Sequence, residues 1–466
     1  MRPDILIELT KHQDVYSAVM NNAVLVARDI AKNYIPRTLE IQDYIDKLQL
    51  KDLKKIKITN ESEHIDFTKK KLYSLKDKLI GALDGGLGAG TIGTTTPFIM
   101  RSVTYSVKIG DHSREREMID PVFFLLNRLT MGALNSSKDL LGAILLLFEL
   151  NSVHESLKKR NYDYFFVHGP LVRSLGQYTD YELSQKDLKQ ILGDNFEDFK
   201  RWVDEQEIDW PNINGSSSKL SYISAVLYTI NKIFDLAKRK KILICGVVER
   251  TDSTEIVQRE LVANVKVFNK DFGEWFKRVT GKQLDPESSI IANGKKIKIF
   301  LDNLGYSDKL ILGKSLNFGE FIKFRVTRAN KSQSSNHMLG LDIGFIGKYD
   351  IFADLIPETE MTYIRTSDTN EPFRVEVPCF LTDSEKRDLM ETVFAFSQFL
   401  PKYAFPVNLD IVDKMAKVSG WLTRAYIYDI KKEILEATIF ENNFEKLNNL
   451  PRLMKDIQRE WYLRPR

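Results

Sequence analysis

Five residues sit where a side chain could do chemistry. Asp84 follows Leu83 and precedes Gly85-Gly86-Leu87-Gly88-Ala89-Gly90. Glu149 interrupts an apolar helical run, Leu140 to Phe148. His168 ends the apolar segment Tyr164-Phe165-Phe166-Val167 and is followed by Gly169-Pro170-Leu171. Glu249 ends the run Ile242 to Val248, with Arg250 next in the chain. Asp413 lies in the helical segment Leu409–Val418, with Leu409, Val412 and Ala416 on the neighbouring face. Oxygen ligands with an occasional imidazole suit Mg2+ or Mn2+. Two such ions can activate water and stabilise the leaving oxygen in phosphodiester hydrolysis. Each residue also has a plainer explanation. Acids at strand ends are commonly solvated, and a histidine after a strand is commonly a hydrogen-bonded structural residue. Glu149 must be bonded, at a rim, or a ligand, because an unpartnered buried carboxylate is costly. Glu249 with Arg250 reads equally as a phosphate contact or a solvated strand-end pair.

The glycines after Asp84 superficially echo a dinucleotide-binding loop. That reading needs them to open a helix whose N-terminus meets the phosphate. A threonine-rich run and a strand pattern, Pro97 to Val107, follow instead, and no Gly-Lys-Ser/Thr occurs there. The expectation is strand, glycine-rich turn, strand over 76–110, with the carboxylate left open at a strand end.

The elements that must carry these residues follow from periodicity. Apolar positions at helical spacing run over 13–35, and Pro36 stops that helix. Lysines crowd 51–57 and 69–71, as a solvated face or as a nucleic-acid or partner surface. The segment 1–75 is expected to be mostly helical and separable. Pro121 is read as opening a helical zone, and a buried helix is expected from Ser136 to Lys159. A buried strand ends at His168. Residues 173–217 are irregular, with Asn214-Gly215-Ser216-Ser217-Ser218 as a loop. A helix at 220–238 leads into a second buried strand ending at Glu249. Residues 251–335 form an insertion, with a hairpin turn at Asn293-Gly294-Lys295-Lys296. Strands are expected at 337–345, 349–356 and 373–378, and helices at 383–399, 407–418 and 421–440. A helix preceding a buried strand is the layout of an α/β sheet, where sites collect at strand ends.

Composition narrows the partners. The 466 residues carry a net charge of only +4, so a nucleic-acid surface must be a local patch. The two cysteines, Cys245 and Cys379, exclude a disulfide framework and a cysteine zinc site. They read as small buried hydrophobes. The first residues lack a signal-peptide layout, and the longest apolar run, Leu140–Leu147, is far short of the roughly 20 residues that span a bilayer. A reducing, cytoplasmic setting is expected.

Five short motifs in order resemble the NurA nuclease family. They are Leu83-Asp84-Gly85-Gly86, Phe148-Glu149-Leu150, Val167-His168-Gly169-Pro170-Leu171, Ile244-Cys245-Gly246-Val247-Val248 and Phe405-Pro406-Val407-Asn408-Leu409. The resemblance covers roughly 76–420. It implies an RNase H-like (Argonaute-Piwi-like) core with a mixed sheet, and a Mn2+- or Mg2+-dependent nuclease acting on single-stranded DNA and duplex ends with 5′-to-3′ polarity. It implies a homodimer working with a HerA-like hexameric ATPase in DNA end resection or antiphage defence. The chain is thus expected to divide into a helical extension at 1–75, a nuclease domain resembling the family at 76–420 with insertions near 173–217 and 251–335, and a C-terminal helical segment at 421–466. By position, Asp84 and Glu149 match family metal ligands. His168 stands where the family usually has aspartate, Asp413 where it has histidine, and Phe405 where it has tyrosine. If both outer positions face one ion, the carboxylate and imidazole have traded places. The phenol has no assigned replacement, although Tyr403 is close. A binding or adaptor subunit that holds DNA without cutting it is the alternative; an Argonaute relative without guide-binding domains is a weaker third reading.

Overall fold

The axis of the structure is one long strand, β2 (Leu79–Ala89). The computed structural model describes residues 13–34, 54–90, 92, 96–113, 115–125, 134–172, 182–205, 219–249, 253, 255–256, 274, 277–278, 281, 283, 296, 307–327, 355–400 and 403–440. β2 pairs antiparallel with β3 (Phe98–Lys108), which pairs antiparallel with the edge strand β4 (Glu117–Phe124). On its other side β2 runs parallel to β5 (Tyr164–His168), and β5 parallel to β8 (Leu243–Val248).

Beyond β8 the sheet continues antiparallel through β12 (Phe373–Pro378), β11 (Thr359–Arg365), β9 (Glu320–Ile322) and β1 (Lys55–Lys57). A short strand, β10 (Arg325–Val326), pairs with β11, which completes a ten-stranded mixed sheet. A small separate ladder joins β6 (Glu182–Ser184) to β7 (Lys219–Ser221).

The helices are α1 (Gln13–Asp29), α2 (His64–Ser74), α3 (Leu134–Lys159), α4 (Gln185–Leu192), α5 (Phe196–Glu205), α6 (Tyr222–Lys240), α7 (Asp308–Ser315), α8 (Asp383–Ser397), α9 (Val407–Ala416) and α10 (Gly420–Phe440). α8 starts at a capping box, in which Thr382 and Glu385 satisfy each other's backbone N–H.

Period-2 alternation sorts the strands onto two covered faces. Leu83, Phe165, Val167 and Ile244 face α3 and α6, joining Leu147, Val153, Ala225 and Val226 in one core. Ala82, Phe166, Val247 and Val375 face α8 and α9, joining Leu389, Val393, Phe394, Leu409 and Val412 in the second. α3 is the one helix among the described residues long and apolar enough to cross a membrane, and its apolar stretch is mostly buried in the protein. Cys245 is buried as expected; Cys379 is half-buried.

Several expectations change. The glycine run is not a turn: β2 stays paired with β3 through Ala89. Pro121 does not open a helix. It sits in β4 opposite Val103, and an edge strand tolerates the missing N–H. The stretch around Lys55 is a strand on β9 rather than part of a separable helical extension, and α2 is tied to α8 by the Lys71–Asp388 ion pair. Within 173–217, α4 is fastened to α3, where the Asn151 side chain donates to the Ile191 carbonyl at 3.0 Å. Part of 251–335 enters the main sheet as β9. The expected strand 337–345, most of 349–356, the turn at 293–295, Arg250 and the tail beyond 440 lie outside the described residues.

Candidate metal centre

Asp84, His168 and Asp413 come from three elements distant in the chain. Each offers a ligand atom within 4.8 Å of the others. Asp84 lies midway along β2 and His168 is the last residue of β5, so the two are neighbours where the parallel pairing of these strands ends. Asp84 is buried, and one of its oxygens accepts the Gly85 N–H at 2.8 Å. Its other oxygen meets His168 Nδ1 at 2.9 Å. Asp413 arrives on α9 and is paired with Lys417 at 2.5 Å, one helical turn on.

The glycines explain how the helices come this close. A Cβ at Gly86 would strike the Ala416 carbonyl at the end of α9. A Cβ at Gly85, which points to the other face, would strike the Glu149 side chain. Asp84 is therefore followed by two positions that stay empty of side chain because Glu149 presses on one and α9 on the other. α10 uses the same device, with Gly88 under Val418 and Thr423, and Gly90 under Ile427.

Of the residues singled out from the sequence, Asp84, His168 and Asp413 are thus brought together. Glu149 is buried beside Gly85, on the α3 side of the sheet, and is not in the three-residue group. Glu249 lies past the end of β8 and accepts a hydrogen bond from the Tyr403 hydroxyl at 2.6 Å. Burial and that bond to the carboxylate raise the Tyr403 phenol above its ordinary range. Phe405 stands edge-on to His168, with ring centroids 5.7 Å apart. Ala404 between them has a φ of +54°.

The electrostatics centre on His168. Burial alone would lower its pKa, but the hydrogen bond to Asp84 and the charges of Asp84, Asp413 and Glu249 outweigh burial, and the imidazole is raised above its ordinary value. A field that draws a proton to this point favours a cation there. Two carboxylates and an imidazole are the donor set of Mn2+ or Mg2+ rather than of a thiolate-seeking metal. The residues present fit a divalent ion.

Sequence reasoning missed the residue that fastens the turn after His168. Gly169 donates to the Val247 carbonyl at 2.8 Å, and Leu171 N–H donates to Glu376 Oε2 at 2.9 Å. The turn crosses β8 at Gly246, where a Cβ would lie 2.5 Å from the Gly169 oxygen. Glu376 is buried and ion-paired with Arg374. The signal was the pattern Phe373-Arg374-Val375-Glu376-Val377, which places opposite charges two apart on one face of a strand with apolar residues between.

A family model, the NurA domain, matches residues 78–418. The crystal structure of the NurA nuclease from Sulfolobus solfataricus is similar at 12% identity, covering 94% of this chain and 98% of that one, with a TM-score of 0.48. A NurA structure with manganese is similar at 12% identity, covering 83% and 95%, with a TM-score of 0.36. A NurA structure bound to dAMP and manganese is similar at 10% identity, covering 84% and 94%, with a TM-score of 0.35. No curated protein matches the sequence.

Proposed function

This chain belongs to the NurA family by a domain match over residues 78–418, and on that premise we propose that it is a Mn2+- or Mg2+-dependent deoxyribonuclease whose centre is Asp84, His168 and Asp413. The observation that carries the reading is the convergence of those three side chains within 4.8 Å, at the middle of β2 and the end of β5. A divalent ion held there lowers the pKa of water and neutralises charge building on the scissile phosphate.

The chain's own residues do the rest. Asp84 and Asp413 supply the negative charge. His168 holds one Asp84 oxygen through Nδ1 and so fixes that carboxylate. Glu149 wedges against Gly85 from behind and sets the height of β2 beside the site. Phe405 closes one side of the imidazole to water. Lys417, paired with Asp413 and largely exposed, is within a side chain's reach of a phosphate brought to the site.

The strand order β4-β3-β2-β5-β8, antiparallel then parallel, supports an RNase H-like core. The family premise further suggests a homodimer, a HerA-like hexameric ATPase as partner, a cytoplasmic setting, and a role in end processing or antiphage defence. α1 is a candidate for docking such a partner, since Val19, Leu25 and Val26 are exposed on it. The test incubates labelled single-stranded DNA with Mn2+ and either wild type or Asp84→Ala. Cleavage by wild type and its loss in the variant are expected. Cleavage that survives the substitution overturns the site. No cleavage by wild type, with or without the ATPase, favours a DNA-holding adaptor.

A further inference from the structure

Beside the metal centre, on the same face of the sheet, lies a cation with no anion among the described residues. The ladder register puts Asp84, Val103 and Pro121 in one row across β2, β3 and β4. The next row is Gly86, Arg101 and Phe123, and paired residues in neighbouring strands point to the same side. Arg101 is half-buried, and its Nε is buried without a hydrogen-bond partner. Its guanidinium lies over the Phe123 ring, 5.3 Å from the centroid. Among the described residues no carboxylate or carbonyl engages it. A buried, unsatisfied N–H on a charged group is unfavourable unless a ligand completes it.

The neighbouring edge strand is apolar where solvent-facing charge would be ordinary. Ile119, Phe123 and Leu125 alternate on the Arg101 face and are 46%, 52% and 46% exposed. Strand geometry places the Arg101 backbone about 8 Å from that of Asp84, and that of Phe123 about 12 Å away. A guanidinium next to an exposed aromatic ring, continuous with a phosphodiester-cleaving centre, matches how single strands are held: cation to backbone, ring to base.

We infer that Arg101 and Phe123 form a binding subsite for the DNA strand flanking the scissile phosphate. Arg101 takes a backbone phosphate and Phe123 stacks on a base. The inference rests on the nuclease reading, and it names the path of the substrate across β3 and β4. It selects a single strand, because a paired base does not offer its face to a ring lying on a sheet edge.

The test uses the full chain, with Arg101→Met, Phe123→Ala and Phe123→Trp. Anisotropy of a labelled oligothymidine is read without divalent metal, and cleavage kinetics are read with Mn2+. Phe123→Ala should raise both Kd and KM about 5- to 100-fold. Phe123→Trp should hold them within about twofold of wild type, because a larger ring still stacks. Arg101→Met should raise both and lower the salt slope of binding by about 0.7, the loss of one phosphate contact, while Phe123→Ala leaves that slope unchanged. kcat at saturating DNA should stay within about twofold. Variants that bind and cut as wild type, while Asp84→Asn does not cut, overturn the subsite and leave the nuclease reading intact. A Phe123→Ala variant whose mass in solution halves assigns the stripe to a subunit interface and overturns it as well. A wild type that neither binds nor cuts overturns both readings together.

Discussion

Two charged clusters lie on opposite faces of the same sheet, and they are balanced in different ways. On the α6 side, Arg374 is ion-paired with Glu376 at 2.5 Å and with Glu255 at 3.6 Å, and donates to Ser253 at 3.3 Å. Both carboxylates are buried, Arg374 is nearly so, and the cation is built into a strand. On the α9 side, Asp84 and Asp413 share their space with an imidazole, and the nearest fixed ammonium, Lys417, is largely exposed. A charge balanced by its own chain is structure. A charge whose balance is left to an imidazole and a solvent-screened lysine is poised to take a cation from outside. The two clusters also touch functionally, because Glu376 uses its remaining oxygen to hold the turn that follows His168.

The comparison breaks most forcefully at Arg374. Arg374→Met removes the cation paired with two buried carboxylates and is expected to lower stability by about 3–5 kcal/mol. Urea unfolding measures that loss. Replacing Arg374, Glu376 and Glu255 together by apolar residues should recover most of it, and an Arg374→Met protein as stable as wild type removes the distinction between the clusters. The metal-side cluster is tested by exchange. His168→Asp or Asp413→His alone should reduce Mn2+-dependent cleavage on the order of 100-fold, and the double exchange should restore it to within about tenfold, because contacting residues are not additive. Additive losses would mean that the two side chains do not face one ion.

The link between the clusters predicts a smaller effect. Glu376→Gln keeps an acceptor for Leu171 but weakens the pairing with Arg374, and should weaken Mn2+ affinity about tenfold by calorimetry. No change in affinity would make Glu376 structural only. A separate effect concerns a buried histidine away from both clusters. Burial, then Lys158 and Lys232, lower the His154 pKa to about 4, against the opposing influence of Glu155 and Asp198. A histidine lowered on folding stabilises above its unfolded pKa near 6.5 and loses that contribution as pH falls towards 4. Between pH 7 and 5 the wild type should lose about 2 kcal/mol through this group, and His154→Leu should lose correspondingly less. Equal losses in both proteins would put the acid sensitivity elsewhere.

Much of the candidate site was legible because its residues interrupt apolar patterns. Asp84, His168 and Asp413 each stand out against Leu83, Val167 and Val412, but Glu149 and Glu249 stand out in the same way and lie outside the three-residue group. What was not legible depends on pairing. The glycines beside Asp84 have the composition of a turn; only the packed helix end at Ala416 and the side chain of Glu149 reveal that they are sites of close approach. Glu149 comes from the face opposite Asp84, a matter of strand parity that no local window contains. Pro121 precedes Val122-Phe123-Phe124-Leu125-Leu126, which reads as well for a helix as for a strand; β3 decides it by pairing. Arg101 was invisible because an arginine in an alternating strand is unremarkable until the register sets it beside Asp84.

Anomalous diffraction from crystals soaked in Mn2+ tests the central claim most directly. A manganese peak in contact with Asp84, His168 and Asp413, absent in Asp84→Ala, is the predicted result. A peak held by other residues, or none in this cluster at saturating Mn2+, contradicts it.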